Sequence, residues 1–379
     1  MATPTLTNTN LDNATKEIWE DTVQKEVVEK SVVLSAFLLA NGVDQTRSGG
    51  KYISKSLDFA EFDSMGAWYE ENDPLGAESK TYLDKAYVMW KNMHISTRIS
   101  LDEEMDNVAA GSDLKVTDLA QDIVSKVQKA MRTKLRNALY AAYDAATPPT
   151  AGGGATGKQI FSLVRALYHG DAATDMGYAY AGLTRDISAG TRDWFQSADM
   201  DTDPIKYNGT WTSSQLTAKT SGYDTFQKIW TACTRNTEDE DPSNYKVIVG
   251  PALWRSWKAW VKSDEIQTNP SRSMRKYGFK TFKFDNVEFV LDTTLASANS
   301  ADYGKVSNSD TYTPEKWFFM LYLPSWKFYI HKKRSFWMMP QKWQGDVEGG
   351  YDRWLIRGFV RCAAACWQPN ANFAHFNMT

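Results

Sequence analysis

Gly152-Gly153-Gly154-Ala155-Thr156-Gly157-Lys158 has the spacing G-x-x-x-x-G-K of a phosphate-cradling loop, in which backbone N–H groups and the lysine hold nucleotide phosphates. The chemistry stops one residue later. Position 159 is Gln, so the hydroxyl that would bind magnesium is missing, and Pro148-Pro149 ends a helix where a buried strand is required. The run is expected to be a flexible linker. On a strand, Cys362 and Cys366 would share a face about 13 Å apart, too far for a disulfide or a common metal ion. Among Ala363, Ala364 and Ala365 they are expected to be small buried side chains. His94, His169, His331 and His375 are isolated in sequence from any Cys, Ser or paired carboxylate, and there is no G-x-S-x-G elbow. The expectation is a chain that is not an enzyme and has no catalytic residue, cofactor or metal site.

Composition narrows the class further. With 379 residues, 42% of them hydrophobic, the chain can build a core for one large or two ordinary domains. A net charge of −3 gives no global positive field, so sequence-specific nucleic-acid recognition is not expected. Three cysteines are too few for a disulfide framework, and MATPTLTNTN has neither a basic nor an apolar leader region. The sequons at Asn13 and Asn208 therefore carry no meaning, and the chain reads as cytosolic when made. No apolar run approaches the roughly 20 residues that span a bilayer. Fifteen tryptophans instead suggest large packed surfaces or interfaces.

The elements that would carry such surfaces can be read from periodicity. Residues 47–101 read as one long hairpin. Ile53, Leu57 and Phe59 alternate with Tyr52, Ser54, Ser56 and Asp58 on the first limb, while Tyr87, Met89, Met93, Ile95, Ile99 and Leu101 share a face of the second. Limbs of about 40 Å make a ribbon that is marginal alone, so its apolar face needs a neighbour. Its tip, Asp63 to Lys80, is acidic through Asp63, Glu70, Glu71, Asp73 and Glu78. An amphipathic helix is expected from Asp12 or Asn13 to Ala40, with Trp19, Val23, Val27, Leu34 and Leu38 on a stripe that docks on another subunit or its own far side. The longest helix follows the ribbon. Val116, Leu119, Ile123, Val127, Met131, Leu135, Ala138 and Ala142 form its apolar stripe, and Lys126, Lys129, Arg132, Lys134 and Arg136 load its later half with charge.

The second half of the chain reads as α/β. A short helix around Gln159 to Leu167 and a polar tract lead to a helix capped by Ser221, the buried-type strand Tyr245 to Val249, and a helix opened by Pro251. Asp285-Asn286 is a two-residue turn joining Phe279–Phe284 to Val287–Leu291. Trp317 to Leu323 is a strand, and Trp354 to Trp367 reads as one long strand. The basic run His331-Lys332-Lys333-Arg334, placed among strands, is expected at an interface in preference to a solvated edge.

This order of parts, together with stretches such as SGGKYISKSLDFAEF, LDEEMDNVAAGSDLKVTDLAQDIVSKVQ and DRWLIRGFVRCAAACWQPNANF, resembles the major capsid proteins of tailed bacteriophages, the Hong Kong 97 fold. The resemblance implies an α+β chain with an N-arm at 1–45 and an extended hairpin, the E-loop, at 46–104. A P-domain would span 105–215 with its spine helix at 113–147, an α/β A-domain 216–335, and returning P-domain strands 336–379. It also implies self-assembly as hexamers and pentamers into the icosahedral head shell of a virion, built in the host cytoplasm and enclosing double-stranded DNA without reading its sequence, with no membrane partner. Residues 1–11 leave no room for a built-in scaffold, so a separate scaffolding protein is implied, beside a portal and a decoration protein. In that family a neighbour's E-loop lies across the P-domain. The inter-subunit contacts expected here are therefore Glu70, Glu71, Asp73 and Glu78 against Lys126, Lys129, Arg132 and Arg136, with Trp19 on the arm. An encapsulin-like nanocompartment shares the fold and is the nearest alternative; a nucleotide-binding enzyme built on the Gly152 loop is the more distant one.

Overall fold

The computed structural model describes residues 29–40, 42–58, 83–100, 119–141, 159–167, 179–185, 195, 219–235, 237–260, 279–296, 314–343 and 353–375. A turn at Glu29 and Lys30 and a bend at Ser31 precede helix α1 (Val32–Leu39), so the expected helix to Ala40 is interrupted at 29–31; its part before Glu29 lies outside the described residues. Nor is α1 amphipathic: Val32 to Phe37 are all buried, because the helix is wedged into the core and not laid on a surface. Gly42 ends it as expected. Its N–H donates to the Phe37 carbonyl at 2.7 Å, and a Cβ there would meet that oxygen at 2.9 Å and the Trp326 carbonyl at 3.0 Å. Only glycine lets the chain turn so closely into β1 (Val43–Asp44).

Among the described residues the ribbon pairs over seven residues of each limb. β2 (Tyr52–Asp58) pairs with β3 (Leu83–Met89) from Tyr52↔Met89 to Asp58↔Leu83. The chain then leaves strand geometry at Trp90 and resumes as β4 (Lys91–Ser100), which belongs to a different sheet. This change of partner shifts the side-chain phase by one. In β3 the buried positions are Ala86 and Val88 in place of the expected Tyr87 and Met89, whereas in β4 the expected Met93 and Ile95 do face the core. Ile53, Leu57, Ala86 and Val88 join the main core of this chain. The apolar face of the described ribbon thus finds its neighbour within the same molecule.

α2 (Leu119–Tyr140) is the long helix, 22 residues and therefore about 33 Å. Val127, Met131 and Leu135 are buried as the stripe predicts, and Leu139 and Tyr140 extend it. Next come α3 (Leu163–Leu167), buried throughout, and the small hairpin β5 (Ala179–Tyr180) and β6 (Leu183–Thr184). That hairpin clamps the ribbon: Tyr87 N donates to Ala181 O at 2.8 Å, and a Cβ at Gly182 (φ +81°) would sit 2.1 Å from the Tyr87 ring. α4 (Lys219–Arg235) starts before Ser221, which is inside the helix and not its cap.

β7 (Tyr245–Val249), α5 (Pro251–Trp260), β8 (Thr281–Phe284), β9 (Val287–Leu291) and β10 (Phe318–Tyr322) build the α/β region. Asp285 and Asn286 adopt φ of 49° and 62°, the positive pair that a primed hairpin turn demands. The chain ends with β11 (Trp326–Ile330), β12 (Trp337–Trp343), β13 (Arg353–Cys366) and β14 (Phe373–His375). One sheet centres on β13, which pairs with β4 over 353–362, with β12 and with β11; β1 adds to β11 in parallel. The other runs β14-β10-β7-β9-β8. His331 to Arg334 is a one-turn helical bend between β11 and β12, not an edge strand, because the chain must change position along β13 there.

The β7 sheet is buried on both faces. Tyr245, Val247 and Val249 pack with Phe226, Ile229, Trp254 and Trp257 of α4 and α5, while Ile248 faces the main core with Phe319, Leu321 and Val290. This explains why β7 is buried at every position and why its one charge, Lys246, is paired with Glu288 of β9.

Candidate assembly surfaces

The β13 sheet has one covered and one open face. α2 lies against the face that carries Met93, Ile95 and Val360. On the other face β4 exposes Asn92, His94, Ser96 and Arg98, and β13 leaves Leu355, Arg357, Phe359 and Arg361 half-buried. Register makes these neighbours: Phe359 sits opposite His94 on one side and Trp337 on the other. The rings form a row across three strands, His94 to Phe359 at 6.3 Å and Phe359 stacked on Trp337 at 5.5 Å. Arg361 lies 5.8 Å over Trp90, which also meets His331 edge-on. Arg98, Arg357 and Arg361 lie on this face, and residues 91–100, 337–343 and 353–366 contain no Asp or Glu. Such a face attracts anions and can stack on flat groups. It was missed in the sequence because an acid-free stretch becomes a surface only when three distant segments pair.

The basic turn adds to this field. Lys332, Lys333 and Arg334 are exposed, and His331 is buried, its Nδ1 accepting from Lys333 N at 3.2 Å. Burial, then the Arg361 guanidinium, lowers the His331 pKa, so the ring is neutral near pH 7 and the positive charge of the turn resides on its lysines and arginine. Deeper in, Arg185 is fully buried. It donates to the carbonyls of Ala166 (2.9 Å), Phe195 (3.2 Å) and Arg165 (2.9 Å), tying β6 to α3 beneath the ribbon. Burial and the neighbouring Arg185 bring Arg165 down to about 10.

Two side chains join the sheets. Asn372 uses both ends of its amide: Oδ1 accepts from Tyr322 N (2.7 Å) and Trp326 Nε1 (2.8 Å), and Nδ2 donates to Ser325 Oγ (3.0 Å) and Gln368 O (2.8 Å). It thereby locks the passage from β10 to β11 against the return from β13 to β14. Tyr140, near the end of α2, donates to Asp292 Oδ2 at 2.7 Å just beyond β9.

Of the sequence candidates, Lys126 and Lys129 are exposed on α2, and Arg132 and Arg136 are half-buried. Trp19, Glu70, Glu71, Asp73, Glu78 and the Gly152 to Lys158 run lie outside the described residues. Cys362 and Cys366 sit on β13 as expected; burial pushes both thiols up to about 12, which leaves them protonated and poorly nucleophilic at neutral pH. Among the described residues no group of three or more His, Cys, Asp or Glu could hold a metal ion, and no helix is long and apolar enough to cross a membrane.

No protein-family model and no curated protein matches the chain. Solved structures do. A chain of the cyanophage A-1(L) capsid asymmetric unit is 12% identical, with 91% of this chain and 92% of that one covered at a TM-score of 0.56. A chain of the bacteriophage PhiM1 mature capsid is 9% identical, with 89% and 86% covered at 0.50. With the central sheet, spine helix, ribbon and α/β region already traced, this likeness over nearly the whole length shows that the chain has the α+β Hong Kong 97 fold of phage capsid proteins.

Proposed function

We propose that this chain is a major capsid protein that assembles as hexamers and pentamers into an icosahedral head shell around double-stranded DNA. The observation that carries the reading is the match to a phage capsid chain over 91% of this one. A structural role without catalysis agrees with buried, protonated thiols and with a Gly152 loop followed by Gln159. A separate scaffolding protein, a portal, a decoration protein and a virion location after assembly in the host cytoplasm belong to the same proposal. Electron microscopy of the purified protein tests it. Hexamers, pentamers or shells are expected, and a protein that stays monomeric across salt and concentration would end the reading.

Contacts between copies are assigned by charge. From Phe59 to Ser79 the chain has Glu61, Asp63, Glu70, Glu71, Asp73 and Glu78 and no Lys or Arg, so these acids need cations from elsewhere. Two surfaces of an adjacent copy offer them: the α2 stripe of Lys126, Lys129, Arg132 and Arg136, and the acid-free sheet face with Arg98 and Arg357. Single exposed pairs are worth about 0–1 kcal/mol, so reversal is the informative change. Glu70→Lys with Glu71→Lys should lower shell yield most at low salt, where screening is least. Rescue by Lys129→Glu with Arg132→Glu assigns the stripe, and rescue by Arg98→Glu with Arg357→Glu assigns the sheet face. Equal yields at every ionic strength would remove the electrostatic contact.

A further inference from the structure

Three parts of the chain meet at His331: the turn between β11 and β12, the strand β13, and the segment 44–51 that leads from β1 into the ribbon. Its backbone N–H donates to Arg361 O at 2.9 Å, and its Nδ1 accepts from Lys333 N at 3.2 Å, which closes the turn on the ring. The next residue carries the connection outward. Lys332 N donates to Arg47 O at 3.0 Å, and the Ser48 backbone also hydrogen-bonds to His331. Beyond Ser48 the chain is exposed, and a Cβ at Gly49 would meet nothing within 4 Å, so the approach to β2 is held at Arg47 and Ser48. The ring itself is buried and packs edge-on against Trp90 at 5.3 Å, at the passage from β3 to β4.

We infer that His331 is a proton-released latch on the base of the ribbon: neutral, it keeps the β11–β12 turn closed on Arg47 and Ser48, and protonated, it lets the turn open. A proton on Nδ1 converts the acceptor of the Lys333 N–H into a second donor, so that bond is lost. The new charge would also be buried among cations. Arg361 faces the ring from β13, and Lys333 and Arg334 face it from its own turn. On the 44–51 segment, Arg47 is engaged with Asp44 at 3.4 Å and lies 5.2 Å over Tyr329, while Trp90 brings no charge. The Ser48 backbone favours the protonated ring, but burial and then Arg361 outweigh it and hold the folded pKa below the ordinary 6.5. Opening returns the ring to water, so acid favours the open turn. Every group in the latch belongs to one copy, and the inference does not depend on shell formation.

The test is hydrogen exchange of the purified full chain between about pH 7.5 and about pH 5, corrected for the intrinsic pH dependence of amide exchange and read by mass spectrometry on segments 331–336 and 245–249. Protection of 331–336 should fall by up to about tenfold per pH unit from 6.5 down to the folded pKa and then level off, while β7 keeps its protection. His331→Asn can still accept from Lys333 N but takes no proton, and it should remove the pH dependence. Arg361→Gln keeps the carbonyl that His331 N uses and deletes a neighbouring charge, so the total fall should shrink. Protection of 331–336 that does not change with pH, an equal fall in β7, or a full fall in His331→Asn would overturn the latch. Should His331→Asn fail to fold, an undiminished fall in Arg361→Gln overturns it.

Discussion

The β7 sheet and the β13 sheet each have five strands, yet they are stabilised in different ways. The first is covered twice, by α4 and α5 on one side and by the main core on the other, and even its charges are internal: Lys246 and Glu288, opposite each other on β7 and β9, pair at 3.2 Å with both side chains at 5% exposure or less. The second is covered once, and its open face carries arginines and a ring row. A sheet with two apolar faces has no surface left for a partner. A sheet with one leaves a charged plane open to a partner.

The sharpest break in this comparison is removal of residues 46–104. A ribbon making only contacts between copies would be dispensable for folding, but β4 pairs with ten residues of β13, from Arg353↔Ser100 to Cys362↔Lys91. The deletion should therefore abolish cooperative unfolding. Replacing only 59–82 by an Asn-Gly turn between Asp58 and Leu83 should keep the fold and lose shells; circular dichroism melts and micrographs read the two outcomes.

Next in size is the buried ion pair. Lys246→Met alone strands Glu288 and should cost about 3–5 kcal/mol in urea unfolding, while Lys246→Met with Glu288→Leu should recover most of it. The same exchange on the open face, Arg357→Met, should change stability by less than about 0.5 kcal/mol. Equal costs at the two positions would erase the distinction between the sheets.

Asn372→Ala probes the join. It leaves Tyr322 N and Trp326 Nε1 without their acceptor, and about 1–3 kcal/mol is expected. Asn372→Asp, which keeps the acceptor and loses the donor, should recover only part of that loss.

The smallest effect is pH-dependent. The folded state holds His331 below its ordinary pKa of 6.5, so the unfolded chain binds the proton more readily. Stability from this group is present above pH 6.5 and falls as pH drops through 6.5 toward the folded value. His331→Asn can still accept from Lys333 N and should flatten that part of the urea midpoint against pH. An unchanged slope would mean that the ring does not titrate on unfolding.

Much of the fold could be read residue by residue. Tyr245 to Val249 is buried at every position, as a mostly apolar run between turn signals implies, with Lys246 paired inside the sheet. Asp285-Asn286 makes the hairpin turn because those residues tolerate positive φ. Pro251 opens α5, and the strand read as Trp354 to Trp367 is β13. The candidate surface was less accessible. The four spine cations lie on the long helix that its apolar spacing predicts, whereas the open sheet face and its ring row went unseen.

What the sequence determined by itself was local: the stripe of the long helix, strand character and turn chemistry, all of which depend on residues a few positions apart. What only the tertiary structure decided was partnership. Period two says that Tyr87 to Leu101 is extended, but not that the chain exchanges β2 for β13 at Trp90 and so reverses which residues face inward. The apolar content of Val32 to Leu39 says that the helix is buried, but not that its cover lies within the same chain. Both outcomes follow from contacts between segments far apart in sequence, such as Phe37 stacked on Trp326 and Asn372 bound to Tyr322, whose free energy appears only once the intervening chain has closed.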